Sequence, residues 1–211
     1  MLKQKIRKHM NIMHKKVSPM QHGLLILVAI GSLSLTYAFM AADGPATRYS
    51  SSPGSNKDAK ETTKHAILQW MKENSEMPEQ VLATIYNAAA TTGNRDLILA
   101  ICLVESNFNP HVESEKGAIG LMGIMPGVWL EELKKKGIIE EKDDLYKISA
   151  NIAAGAHVLA TYLSETNDLR QALVRYVGGT SGYAIRVLQT QKKIELARLS
   201  ESHLSLTAVQ D

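Results

Sequence analysis

A single cysteine, Cys102, stands in 211 residues, so no disulfide can form within the chain and the fold must hold by packing alone. Cys102 lies inside an apolar run, which argues against a thiol enzyme even though His111 follows nearby. His14, His22, His65, His111, His157 and His203 are scattered, without paired ligand spacing such as His-Glu-x-x-His, and no metal or other cofactor is expected. A phosphate loop would need Gly-Lys-Ser/Thr, which is absent. There is no internal repeat and no Val/Ile/Thr-rich alternation that would build a sheet, so the fold class read here is all-α. Acidic residues are missing from positions 1 to 42, which hold six Lys or Arg. The other 18 basic residues face 21 acids, a balance of −3. The pI near 8.9 therefore reflects a basic leader rather than a basic folded face, and nucleic acid is excluded as a partner.

What is present divides the chain into five stretches. Residues 1–22 are a basic N-terminus. Residues 23–42, GLLILVAIGSLSLTYAFMAA, carry no charge over 20 positions, enough to cross a hydrocarbon core as a helix. The basic flank predicts that the N-terminal end stays inside and the remainder is exported, as a single-pass inner-membrane protein with its domain in the periplasm. The rival is a cleaved signal and a protein secreted to the periplasm, although no clean Ala-x-Ala site follows. Residues 43–60 are rich in Ser, Gly, Pro and Asp with almost no large apolar side chain, which predicts a flexible tether or passive spacer. Residues 61–199 carry helical periodicity and form the expected domain, with residues 200–211 as a frayed tail.

Within that domain Ile67, Trp70 and Met71 are spaced as a buried helical stripe, and Pro78 opens a second helix through Val81, Leu82, Ile85, Tyr86 and Ala89. Asn94 is placed to cap a third, with Asp96 in its first turn and Asn109-Pro110 as the stop. Ile98, Ile101 and Cys102 precede Glu105 by seven, four and three positions, so the carboxylate shares the face that seeks the core. Burial disfavours the charged form of a carboxylate and raises its pKa, as a general acid at neutral pH requires. An exposed Glu at a fraying end, or one paired with a cation, is the plainer alternative. Further on, helices are expected from Val128 to Lys136, after Ser149 as N-cap, after Asn167 as N-cap, and after Ser181, the last with Ile185, Leu188, Ile194 and Leu196 as apolar positions.

Two ordered blocks, Glu105-Ser106-Asn107-Phe108-Asn109-Pro110 and Gly117-Ala118-Ile119-Gly120-Leu121-Met122-Gly123-Ile124-Met125-Pro126, resemble the catalytic segment of lytic transglycosylases of the soluble-lytic-transglycosylase type. The resemblance continues through Asn151-Ile152-Ala153-Ala154-Gly155-Ala156 and Ala172-Leu173-Val174-Arg175-Tyr176-Val177-Gly178-Gly179, covering roughly residues 78 to 190. It implies an α-helical, lysozyme-like domain acting on the glycan strands of bacterial peptidoglycan. In that reading Glu105 protonates the β-1,4 oxygen between N-acetylmuramic acid and N-acetylglucosamine. It then acts as base on the muramyl C6 hydroxyl, giving 1,6-anhydromuramyl ends without metal or cofactor. Ser106, Met122 and Tyr176 are the expected substrate contacts. On spacing alone, Met122 reads equally as core and Tyr176 as a buried tyrosine needing a hydrogen-bond partner.

Two departures stand out. The family usually has Gln where this chain has Gly123 and Asn where it has Val177. If these are merely weakening losses, restoring both is expected to raise activity. Two other functions remain open: a lysozyme-like hydrolase using Glu113 or Glu115 as a second carboxylate, and a non-catalytic peptidoglycan-binding module. The anchor and tether also fit a partner in a secretion or conjugation machine.

Overall fold

In a computed structural model of the chain the described residues are 54–207, with side chains described over 59–200. The expected basic N-terminus, the apolar span at 23–42 and most of the spacer lie outside them. Among the described residues no helix is long and apolar enough to cross a membrane.

The described chain is helical, as its periodicity predicts: α1 (Gly54–Glu73), α2 (Glu79–Ala90), α3 (Arg95–Ser106), α4 (Pro126–Lys135), a 3-10 turn (Lys142–Tyr146), α5 (Ile148–Thr166), α6 (Leu169–Tyr176) and α7 (Ser181–Thr207). The nearest thing to β structure is a pair of isolated bridges, Glu113 to Ile119 and Ile119 to Ile124, in the connection between α3 and α4. Two boundaries differ from the reading above. α1 begins at Gly54, inside the stretch taken as spacer, because Lys57 to Glu61 already favours helix once the Ser/Pro run is past. α7 continues beyond Leu199 to Thr207, since no Gly or Pro follows Gly182 to stop it.

The caps correct the sequence more often than the helices do. α3 ends three residues before Pro110, at Asn107, which turns left-handed with φ 53°, and Phe108 follows with φ 62° and its ring fully buried. Asn can adopt this conformation at little cost, whereas Phe is held there by packing. Ser149 is not a cap, because α5 starts one residue earlier, at Ile148. Asn167 is the left-handed end of α5, and Asp168 instead caps α6, accepting 2.7 Å from the Gln171 amide.

A single apolar core joins Ile67 and Met71 of α1, Leu82 and Ile85 of α2, the whole middle of α3, Leu133 of α4, Ile152 and Val158 of α5, and Leu173 of α6. α3 is enclosed on all sides, with Leu97 to Cys102 buried without interruption. α7 packs along both α1 and α3. Its inward stripe is Tyr183, Ala184, Val187 and Ile194, while Ile185 and Leu196 point outward, at 41% and 55% exposure. Of the apolar positions read from the sequence, Ile194 is thus buried while Ile185 and Leu196 are not.

Candidate active site

Glu105 occupies the last turn of α3, on the flank where the helix emerges from the core. Its side chain is half-buried, and burial raises its pKa above the ordinary carboxyl value. A hydrogen-bonding influence from Tyr183 and the charge of Arg186 pull the other way. No second carboxylate is among the described groups that shift it. The Glu105 charge acts in turn on Cys102, Tyr176 and Tyr183, each held strongly toward its protonated form, chiefly by burial. Two tyrosine hydroxyls and a buried thiol thus lie within electrostatic reach of the acid.

Facing Glu105 is the loop of residues 119–123, a tight reversal in which Ile119 and Ile124 exchange both backbone hydrogen bonds, at 2.8 and 3.0 Å. Three polar side chains from three helices hold it. From α3, the Ser106 hydroxyl lies 2.8 Å from the Cys102 carbonyl and 3.0 Å from that of Leu121, so its one proton serves backbone acceptors. From α5, the buried Asn151 accepts 2.8 Å from the Met122 amide and donates to the carbonyls of Ile119 (3.0 Å) and Leu145 (2.6 Å). From α6, the Tyr176 hydroxyl donates 2.7 Å to the Met122 carbonyl. Each is a long-range tie between a helix and this loop, and the buried backbone groups of residues 119–122 find partners that a free loop would lack.

The residues read from the sequence therefore converge, but not all as substrate contacts. Ser106 is buried and spends its hydroxyl on the backbone. Met122 is fully buried, its side chain packed on Gly155 of α5 where any Cβ would collide with it. Tyr176 is partly buried, its hydroxyl committed to Met122 and its ring stacked on Tyr183 at 6.5 Å with the planes 6° apart. Gly123 lies directly against Glu105. Val177 ends α6 and is 37% exposed. Of the two alternative bases, Glu113 accepts 2.8 Å from the Tyr146 hydroxyl, and both it and Glu115 are exposed.

Tyr183 and Asn151's exact service were missed. Tyr183 is 2% exposed; its hydroxyl interacts with Glu105 without closing a full hydrogen bond to any partner. A tyrosine on the buried stripe of a helix otherwise closed by aliphatic residues was the available signal, since such a hydroxyl demands a polar neighbour. Among the described residues no group of His, Cys, Asp or Glu is arranged to hold a metal ion.

Comparison with known proteins gives the chain's relatives. Residues 82–197, more than half the chain, match the sequence model of the family described as Transglycosylase SLT domain. The chain is 33% identical over 114 residues to a membrane-bound lytic murein transglycosylase C of Glaesserella parasuis, covering 49% of this chain and 31% of the relative. It is 34% identical over 96 residues to a transglycosylase of Enterobacteria phage PRD1, covering 44% and 33%. A membrane-bound lytic murein transglycosylase C of Photorhabdus laumondii is 31% identical over 110 residues, covering 47% and 31%. The chain thus spans about a third of the length of these curated relatives.

Proposed function

Because this chain belongs to the family of SLT-domain transglycosylases, we propose that it cleaves peptidoglycan glycan strands between N-acetylmuramic acid and N-acetylglucosamine, leaving 1,6-anhydromuramyl ends. The observation that carries the reading is a half-buried carboxylate whose pKa is raised by burial, with no second carboxylate among the described residues acting on it. A retaining or inverting hydrolase needs two carboxylates across the scissile bond, whereas substrate assistance needs one. Glu105, protonated, donates to the glycosidic oxygen as it leaves. The resulting carboxylate takes the proton of the muramyl C6 hydroxyl, whose oxygen closes onto C1. The proton count balances and no water is consumed.

Ser106, Met122 and Tyr176 act in this scheme by fixing the loop opposite the acid. Tyr176 and Tyr183, both held neutral, keep hydroxyl groups near the carboxylate through its charged and uncharged states. The hydrolytic alternative is weakened by the engagement of Glu113 with Tyr146. For the placement of the chain, we infer an envelope location with residues 23–42 as anchor or signal and peptidoglycan as partner. Two of the relatives are described as membrane-bound, which supports the envelope assignment, and service to a secretion or conjugation machine fits a tethered wall-cutting domain.

The test is mass spectrometry of muropeptides after incubation of the full-length chain with purified peptidoglycan, beside Glu105→Gln. Products lighter by one water than the reducing muropeptides, and missing with the variant, are expected. Reducing products would instead establish hydrolysis, and binding without any new ends would establish a non-catalytic module.

A further inference from the structure

Three glycines at three-residue spacing, Gly117, Gly120 and Gly123, all have positive φ (81°, 76° and 60°), yet their surroundings differ. A Cβ at Gly117 would meet nothing within 4 Å, so that glycine serves the turn alone. At Gly120 a Cβ would strike the Asn151 amide and the Leu145 carbonyl, which are parts of the loop clamp. At Gly123 the three nearest atoms all belong to one side chain: Glu105 Oε2 at 2.8 Å, Cδ at 3.3 Å and Cγ at 3.7 Å. The end of the acid fills the volume that a side chain at position 123 would take.

We propose that Gly123 is the positioning residue of the acid: its missing side chain forms a seat in which the Glu105 carboxyl lies against the loop backbone, fixed in place and sheltered from water. This rests on Glu105 being the acid. The seat is rigid on the loop side, because Ser106, Asn151 and Tyr176 hold residues 121 and 122 immediately before it. It is the Glu105 side chain, with its rotatable bonds, that yields when the seat is filled. Displacement moves the carboxyl away from the loop and toward solvent, lowering its pKa and breaking its alignment with the scissile oxygen. Position 123 is where the family usually carries Gln, so this chain holds its acid against bare backbone. Gly123→Gln, alone or with Val177→Asn, accordingly lowers activity instead of restoring it.

The experiment follows the Glu105 carboxyl carbon by NMR titration, together with cleavage of peptidoglycan, in wild type, Gly123→Ala, Gly123→Asn and Gly117→Ala. Asn tolerates the left-handed backbone while still carrying a Cβ, and Gly117→Ala imposes similar backbone strain with no collision. Both position-123 variants are expected to lower the Glu105 titration midpoint, to move the alkaline limb of the rate profile to lower pH, and to reduce turnover on the order of a hundredfold with little change in KM. Gly117→Ala is expected to keep the wild-type midpoint and rate. A wild-type Glu105 that titrates at the ordinary carboxyl value, or a folded position-123 variant with wild-type midpoint and turnover, overturns the seat. If wild type cuts no peptidoglycan, the transglycosylase reading fails, and the titration still decides whether Gly123 seats the acid.

Discussion

At the scale of the residue, Glu105 carries a stability cost that a test of catalysis alone would not reveal. Its carboxyl binds a proton more tightly folded than unfolded, so the folded state holds more protons above the unfolded pKa of about 4.3, and stability declines as pH rises from there through the raised folded value. Glu105→Gln is therefore expected to abolish cleavage and to raise the melting temperature at pH 7 to 8, with the advantage vanishing below about pH 4. Thermal melts of both proteins across that range check the sign; equal melting temperatures at all pH values would mean the carboxyl is not strained by burial. How Glu105 could be found from sequence is physical: a charged residue repeating on the stripe of Ile98, Ile101 and Cys102 is an anomaly that periodicity exposes. Tyr183 and Gly123 left a fainter trace. Their importance lies in what they approach through space, and spacing along the chain does not encode the meeting of α7, α3 and the loop.

At the scale of the element, the side chain that makes the most ties to the 119–123 loop is the Asn151 amide. Asn151→Leu takes the Asn151 partner from the Met122 amide and from the Ile119 and Leu145 carbonyls, Ile119 keeping its bond from the Ile124 amide, and is expected to cost about 2 kcal/mol, since a stranded buried group costs on the order of 1 to 3 kcal/mol. Urea denaturation measures the loss, and cleavage should fall further than stability because the loop frames the acid. The 3-10 turn has its own anchor. Asp144 is held down to about 2 by its bond from Lys147 at 2.6 Å and by the amides of Glu141 and Glu140, at 3.0 and 2.7 Å. Its depressed folded pKa gives stability present above the unfolded value near 3.9 and lost as pH falls toward 2. Asp144→Asn should lower the melting temperature at neutral pH and flatten the acid limb between about pH 4 and pH 2; an unchanged acid limb would place that sensitivity elsewhere. Helix bodies were legible because apolar spacing is set by burial. Caps were not, because Asn107 and Asn167 suit a left-handed C-terminus as well as an N-cap, and local sequence does not choose between them.

At the scale of the whole molecule, α7 joins the beginning of the domain to its chemistry. It packs on α1 and α3 and carries Tyr183 and Arg186 to the acid. Ile194→Ala, at a fully buried position two turns beyond the site, is expected to cost about 2 to 4 kcal/mol and to reduce cleavage by loosening that helix. Denaturation and rate measured on one preparation test this; lost stability with wild-type turnover would mean α7 is not needed to hold the site. The all-helical architecture was readable because it follows from local pattern, while the pairing of α7 with α3 spans the whole of α4, α5 and α6. That separation sets an order in time. In a growing chain α3 is made well before α7, which supplies Tyr183 and Arg186. Until that last helix docks the acid lacks Tyr183, so the carboxyl reaches its final surroundings only when the domain is all but assembled.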